Sequence, residues 1–161
     1  MEQNFSLVTF QEQRQIAAAM HELDAINNVA GSFGLSLTGE QMIRLTERRF
    51  QALSSYRRIE FGEGVLQKLV HSFCDSPYIM QRNFEETLGE LQDIFYYFKN
   101  EMENTISDDE LIEAIKAVFD GKAQGSLEFL AGLELEYLYR IVRGGDNEED
   151  VGEQDEEVHG E

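Results

Sequence analysis

The chain has 161 residues, of which 32 are acidic and 13 are Lys or Arg, giving a net charge of −19 and an isoelectric point near 4.4. Nucleic-acid affinity rests on cations displacing the counterions of the phosphate backbone, so this balance argues against nucleic acid, and against anionic membrane surfaces for the same reason. Cys74 is the only cysteine, which excludes an intrachain disulfide, and the length suits one domain with an appendage.

Helix-start signals recur along the chain. Thr9, Thr38 and Ser107 are each followed three residues later by Glu12, Gln41 and Glu110, and then by an apolar periodic run. This is the capping box, in which hydroxyl and carboxyl or amide reciprocally satisfy two orphan backbone donors. With Pro77 as the only proline, the fold class is all-α: a bundle of five or six helices built from helix-loop-helix units over residues 1–143. The first helix is expected over 10–30, with Ile16, Met20, Leu23 and Ala30 on one face and Gly31 as its left-handed terminator. A second follows Thr38, turns Met42, Ile43 and Phe50 inward, and fades at Ser54 and Ser55. After an extended stretch at 58–61, a third is expected over 63–73 with Leu66, Leu69, Val70 and Phe73 apolar. Ser76 and Pro77 then restart the chain as cap and first helical residue.

The longest helix is expected over 84–102, where Phe84, Leu88, Leu91, Phe95, Phe98 and Met102 alternate spacings of four and three. That period, about 3.5 residues, suits either the central core helix of a monomer or the seam of a homodimer through helix 84–102. Fewer than about three heptads is short for a free coiled coil, and Tyr96 and Tyr97 widen the stripe, which favours the core.

A second pattern links two parts of the chain. The run from Thr38 to Phe50 lines up with that from Ser107 to Phe119 in cap, third residue, paired apolar positions and closing Phe, and further on Ile59 matches Leu127. A short two-strand contact between Ile59 and Leu127 fits that outline, which is also that of a degenerate EF-hand over 107–131, with Asp120 at loop position 1, Gln124 at 5 and Gly125 at 6. Calcium needs a bidentate carboxylate at position 12 and further oxygen donors; here position 12 is Ala131 and position 3 is Lys122, so calcium is not expected.

Few residues point to chemistry. His71 and Cys74 lie three apart on the third helix beside Asp75, the spacing of a thiolate–imidazole pair or half a metal site. A metal- or thiol-dependent enzyme centred on His71 and Cys74 is therefore the alternative reading, against a small buried cysteine and a boundary histidine. There is no nucleotide-binding glycine motif and no CxxC or HxxxH spacing, and no catalytic residue, metal ligand or cofactor is assigned. The exception to the acidic surface is Arg44, Arg48, Arg49, Arg57 and Arg58, five of the 13 basic residues within fifteen positions. They read either as internal i,i+4 ion pairs, as with Glu40, or as a docking surface for an acidic partner or for the chain's own acidic segment.

That segment is 144–161, which holds nine acidic residues and no Lys or Arg; subtracting those nine leaves 23 acidic against 13 basic residues in the body. With Val151 and Val158 as its only branched apolar residues, it is expected to be a disordered acidic tail. Met1, Glu2, Gln3 and Asn4 carry no basic or apolar leader, and the longest apolar runs are five residues, which reads as a soluble, cytoplasmic chain.

The stretches Arg58-Ile-Glu-Phe-Gly-Glu-Gly-Val-Leu66, His71-Ser-Phe-Cys-Asp-Ser-Pro-Tyr-Ile79, Glu86-Thr-Leu-Gly-Glu-Leu-Gln-Asp-Ile-Phe-Tyr-Tyr-Phe-Lys-Asn100 and Phe119-Asp-Gly-Lys-Ala-Gln-Gly-Ser-Leu127 resemble an uncharacterised bacterial domain-of-unknown-function family, associated with anaerobic spore-forming bacteria. The resemblance covers residues 38–131 and implies a cytoplasmic bacterial helical domain, but carries no activity or functional residue. The functional expectation is a non-catalytic protein–protein interaction module with an unknown protein partner, docking through the five arginines.

Overall fold

The computed structural model describes residues 2–58 and 64–144, with side chains from residue 13 onward. Seven α-helices follow one another: α1 Glu2–Ala30, α2 Gly39–Ser55, α3 Val65–Phe73, α4 Phe84–Glu101, α5 Asp108–Asp120, α6 Leu127–Ala131 and α7 Leu135–Gly144. The all-α expectation holds, and there is no strand among the described residues. Helix α4 is the core: Phe84, Leu88, Leu91, Phe95, Phe98 and Met102 are all at 1% exposure or less. Helices α2, α3, α5 and α6 of the same chain cover it. Tyr96 is buried with them, while Tyr97 is exposed.

Two of the capping boxes form as read. The Thr38 hydroxyl accepts from the Gln41 amide at 3.1 Å and the Gln41 side chain accepts from Thr38 N–H at 2.8 Å. Ser107 and Glu110 repeat the exchange at the start of α5. The third box is not a helix start, because α1 runs unbroken through Thr9; residues 2–9 contain no Gly or Pro to stop it. At the other end of α1, Gly31 begins a 3-10 turn, and the left-handed residue is Gly34 (φ 77°). The tightened turn postpones the reversal by three residues. Asn27 then holds the following loop, its side-chain amide donating to the Leu37 carbonyl at 3.0 Å and accepting from Leu37 N–H at 2.9 Å.

Further corrections concern short segments. Phe50 is 43% exposed rather than turned inward. The buried positions of α2 are Met42, Leu45, Thr46 and Leu53, and half-buried Arg49 on the same stripe has its charge met by Glu22 of α1. Ser76 and Pro77 form a turn and open no helix, because the Ser76 hydroxyl donates to Asp120 at 2.7 Å and accepts from Tyr78 N–H at 3.2 Å. The EF-hand outline is not supported: α5 continues through Asp120, the loop to α6 spans only 121–126, and the exiting helix has five residues. Asp120 is engaged by Ser76 and Lys116, so it does not point into a loop as a free ligand. Leu127 is the first residue of a helix, capped by the Ser126 hydroxyl, so it makes no two-strand contact; Ile59 lies outside the described residues, as does the acidic stretch 145–161. The count exceeds five or six because the chain breaks at Gly132 between α6 and α7.

Lysine 99 joins α4 to α5. It is 7% exposed, donates to the Ile106 carbonyl and pairs with Asp108 at 2.7 Å, so its ammonium is neutralised and hydrogen-bonded where it is buried.

Candidate functional site

Helix α3 packs on both α1 and α5, and a groove of about 660 Å3 lies along the three helices. Ile26, Val70 and Ile112 form its apolar floor, all buried. Gln67, Lys68 and His71 of α3 and Asp109 and Glu113 of α5 supply a polar rim, with Ala25 and Val29 on the α1 wall. Lys68 and Asp109 pair across the rim at 3.4 Å. These residues come from three separated stretches, none carrying a motif. The only sequence signal was His71, singled out for a different reason.

The five arginines are divided among three places. Arg44 closes on Glu85 of α4 with two hydrogen bonds, 2.8 and 3.0 Å. That bond from Arg44 holds the Glu85 carboxyl below the usual carboxylate range. Arg48 pairs with Asp93 at 2.9 Å, lying across Gly89, where an added Cβ would come within 2.4 Å of its guanidinium. Both therefore bridge α2 to α4, and not to Glu40 one turn away. Arg49 faces the opposite flank of α2 and pairs with Glu22 at 3.1 Å, with side-chain exposures of 13% and 10%. Arg57 and Arg58 stand beyond the end of α2: Arg57 is exposed in the left-handed region (φ 55°), and Arg58 donates to the Asn104 side-chain oxygen Oδ1 at 2.7 Å.

His71 and Cys74 are not brought to a common surface. His71 is exposed on the groove rim, whereas Cys74 is 4% exposed. Burial, with the neighbouring Asp75 charge, pushes the Cys74 thiol up, which is the reverse of thiolate activation. The polar network beside it centres on Lys116, which donates to the Ser72 carbonyl and to Asp75, each at 2.8 Å, and pairs with Asp120 at 3.3 Å. Burial acts to lower the Lys116 ammonium, but its hydrogen bond to Asp75 and the Asp120 charge outweigh it and hold the group above its ordinary value. Every polar member is engaged within the chain, so the network clamps the C-terminal ends of α3 and α5 together. Among the described residues, no three His, Cys, Asp or Glu side chains gather in a way that would hold a metal ion. No helix among the described residues is long and apolar enough to cross a membrane.

The sequence profile of a family described as "Family of unknown function (DUF6323)" matches residues 22–148, a wider span than the 38–131 of the resemblance read from the sequence. No curated protein and no solved structure matches the chain.

Proposed function

Since the chain belongs to this family of unknown function, its role is argued from its own geometry, and we propose that it is a non-catalytic module that acts in the bacterial cytoplasm by binding another protein. The observation that carries the reading is the groove between α1 and α5, with its apolar floor of Ile26, Val70 and Ile112 and a rim bearing both signs of charge. A small-molecule site needs a few buried polar groups converging on the ligand. Here the rim is made of long surface side chains, two of which already satisfy each other. The trough between two helices that share a third as neighbour is the shape a further amphipathic helix fills, its apolar stripe on the floor and its flanks against Lys68, Asp109 and Glu113.

Capture from lysate of the native host tests this with three full-length baits: the natural chain, Ala25→Arg, which fills the groove from its exposed α1 wall, and Gln51→Arg on the exposed side of α2. A protein retained by the natural chain and by Gln51→Arg, and lost with Ala25→Arg, is the expected result. Equal retention by all three, or retention of no protein while a small molecule copurifies, contradicts the proposal.

A further inference from the structure

In a chain with 32 acidic residues against 13 basic ones, every cation has an excess of carboxylates to choose from. Arg44, Arg48, Arg49, Lys68, Lys99 and Lys116 have each found one within 4 Å. Arg57, Arg58, Arg82, Lys122 and Arg143 pair with none among the described residues, and of these Arg57, Arg58 and Arg143 lie at one corner, where α2, α4 and α7 end. Arg58 is bonded to the neutral side chain of Asn104 at 2.7 Å. The next residue, Thr105, shares a 3.0 Å hydrogen bond with the Tyr139 hydroxyl, and the Arg143 guanidinium lies 5.7 Å over the Tyr139 ring. Arg57, adjacent to Arg58, is exposed. Glu101 and Glu103 belong to the same corner and are exposed, yet neither pairs with these arginines.

We infer that this corner is the docking surface for the chain's own acidic segment, residues 145–161. Two observations identify that occupant over an external one. The segment starts beside the patch: Gly144 ends α7 one residue after Arg143, and Asp146, Glu148, Glu149 and Asp150 follow directly. At about 3.3–3.6 Å per extended residue, these first four carboxylates lie within about 25 Å of Arg143 along the chain, so the nearest acids begin beside the corner and need no long excursion to meet it. The charges are also complementary in kind, since the segment holds nine acidic residues and no cation, while the corner presents three guanidiniums. A tethered segment competes at the effective concentration set by its short linker, roughly millimolar for flexible chains, which gives it precedence over an acidic partner at lower concentration. The corner shares no residue with the groove, so this contact stands or falls separately from the proposed function.

The test uses the full chain carrying Val151→Cys, directly after Asp150, with a nitroxide label, Cys74 being buried and slow to react. Paramagnetic broadening of backbone amides is measured at about 20 mM salt, where the screening length exceeds about 20 Å, and at about 1 M, where it is about 3 Å. The amides of Arg58, Asn104 and Thr105 should lose at least half of their intensity at low salt and recover it at high salt. The same recovery is expected at low salt in Arg57→Gln/Arg58→Gln/Arg143→Gln. It is expected equally in Asp146→Asn/Glu148→Gln/Glu149→Gln/Asp150→Asn, which alters no residue of the described fold. No broadening at that corner, broadening centred on Arg44 and Arg48 instead, or broadening insensitive to both salt and substitution overturns the inference. So does broadening that appears only between a labelled chain and an unlabelled isotopic one, since that places the segment on a second copy.

Discussion

The Arg49–Glu22 pair separates structural arginines from surface ones. Replacing Arg49 by Met leaves the Glu22 carboxylate, itself 8% exposed, without its cation against the α1–α2 interface. Breaking a fully buried pair by removing one partner costs about 3–5 kcal/mol. Here the two side chains keep 13% and 10% of their exposure, so a cost of about 2–4 kcal/mol is expected. For a domain of this size, each kcal/mol shifts the midpoint by about 3 °C, giving a fall of about 6–12 °C. Removing both charges, Glu22→Leu/Arg49→Met, eliminates the unpaired carboxylate and should return stability to within about 1 kcal/mol of the natural chain. Arg48→Gln is the reference, because its pair with Asp93 is 38% and 45% exposed and is worth about 0.2–1 kcal/mol. Urea unfolding followed by far-UV circular dichroism at pH 7 reads all three. A cost for Arg49→Met no larger than for Arg48→Gln, or a double variant as unstable as the single one, would refute the reasoning.

Gly125→Ala should destabilise by about 2–4 kcal/mol in the same assay, adding left-handed strain to crowding. Gly125 has φ 82° and an added Cβ would lie 2.6 Å from the Tyr78 Cβ; a midpoint unchanged within error would show that the turn tolerates a side chain. Cys74 should resist alkylation in the native chain at pH 8 and react fully in urea, because its thiol is both buried and pushed up by that burial; rapid native labelling would revive the thiol-enzyme reading. Lys116→Met should cost about 1–3 kcal/mol at pH 7 through lost charged hydrogen bonds. Because the folded-state value of Lys116 is raised, its contribution is complete below its ordinary value and is lost as pH rises through the raised one, so the deficit of the variant should shrink above about pH 10.5. Glu85 has the opposite sign: held low by Arg44, it contributes above the ordinary carboxylate value and loses that contribution on acidification, so Glu85→Gln should flatten the loss of stability below about pH 4.

What was legible from residue order was local, though the Thr9 box, Gly31 and the Ser76-Pro77 start show that not every local signal is used. The stripe from Phe84 to Met102 and the boxes at Thr38 and Ser107 depend on spacing within one helix, and each is found as read. Where side-chain partners come from other helices, local reading loses its hold. Phe50 reads as inward because it is apolar, but the buried stripe of α2 ends on Leu53 and passes half-buried Arg49, whose charge is met by Glu22 from α1. Asp120 fits position 1 of a degenerate loop by spacing alone, but Ser76 from another part of the chain and Lys116 from its own helix occupy it. The arginine cluster is contiguous in sequence, yet a helix turns successive residues in different directions, so Arg44 and Arg48 face α4, Arg49 faces α1, and Arg57 and Arg58 lie past the helix end. The groove was invisible for the same reason, since residues 25–29, 67–72 and 109–113 share nothing but their final position.

The role of the groove is tested most directly by photo-crosslinking in the native host, with a benzophenone side chain placed at Gln67 on the groove and, separately, at Gln51 on the α2–α4 side. A single discrete protein adduct from position 67 and none from position 51 is the predicted result. An adduct from position 51 alone, or none from position 67, would contradict the groove as the surface through which this protein acts.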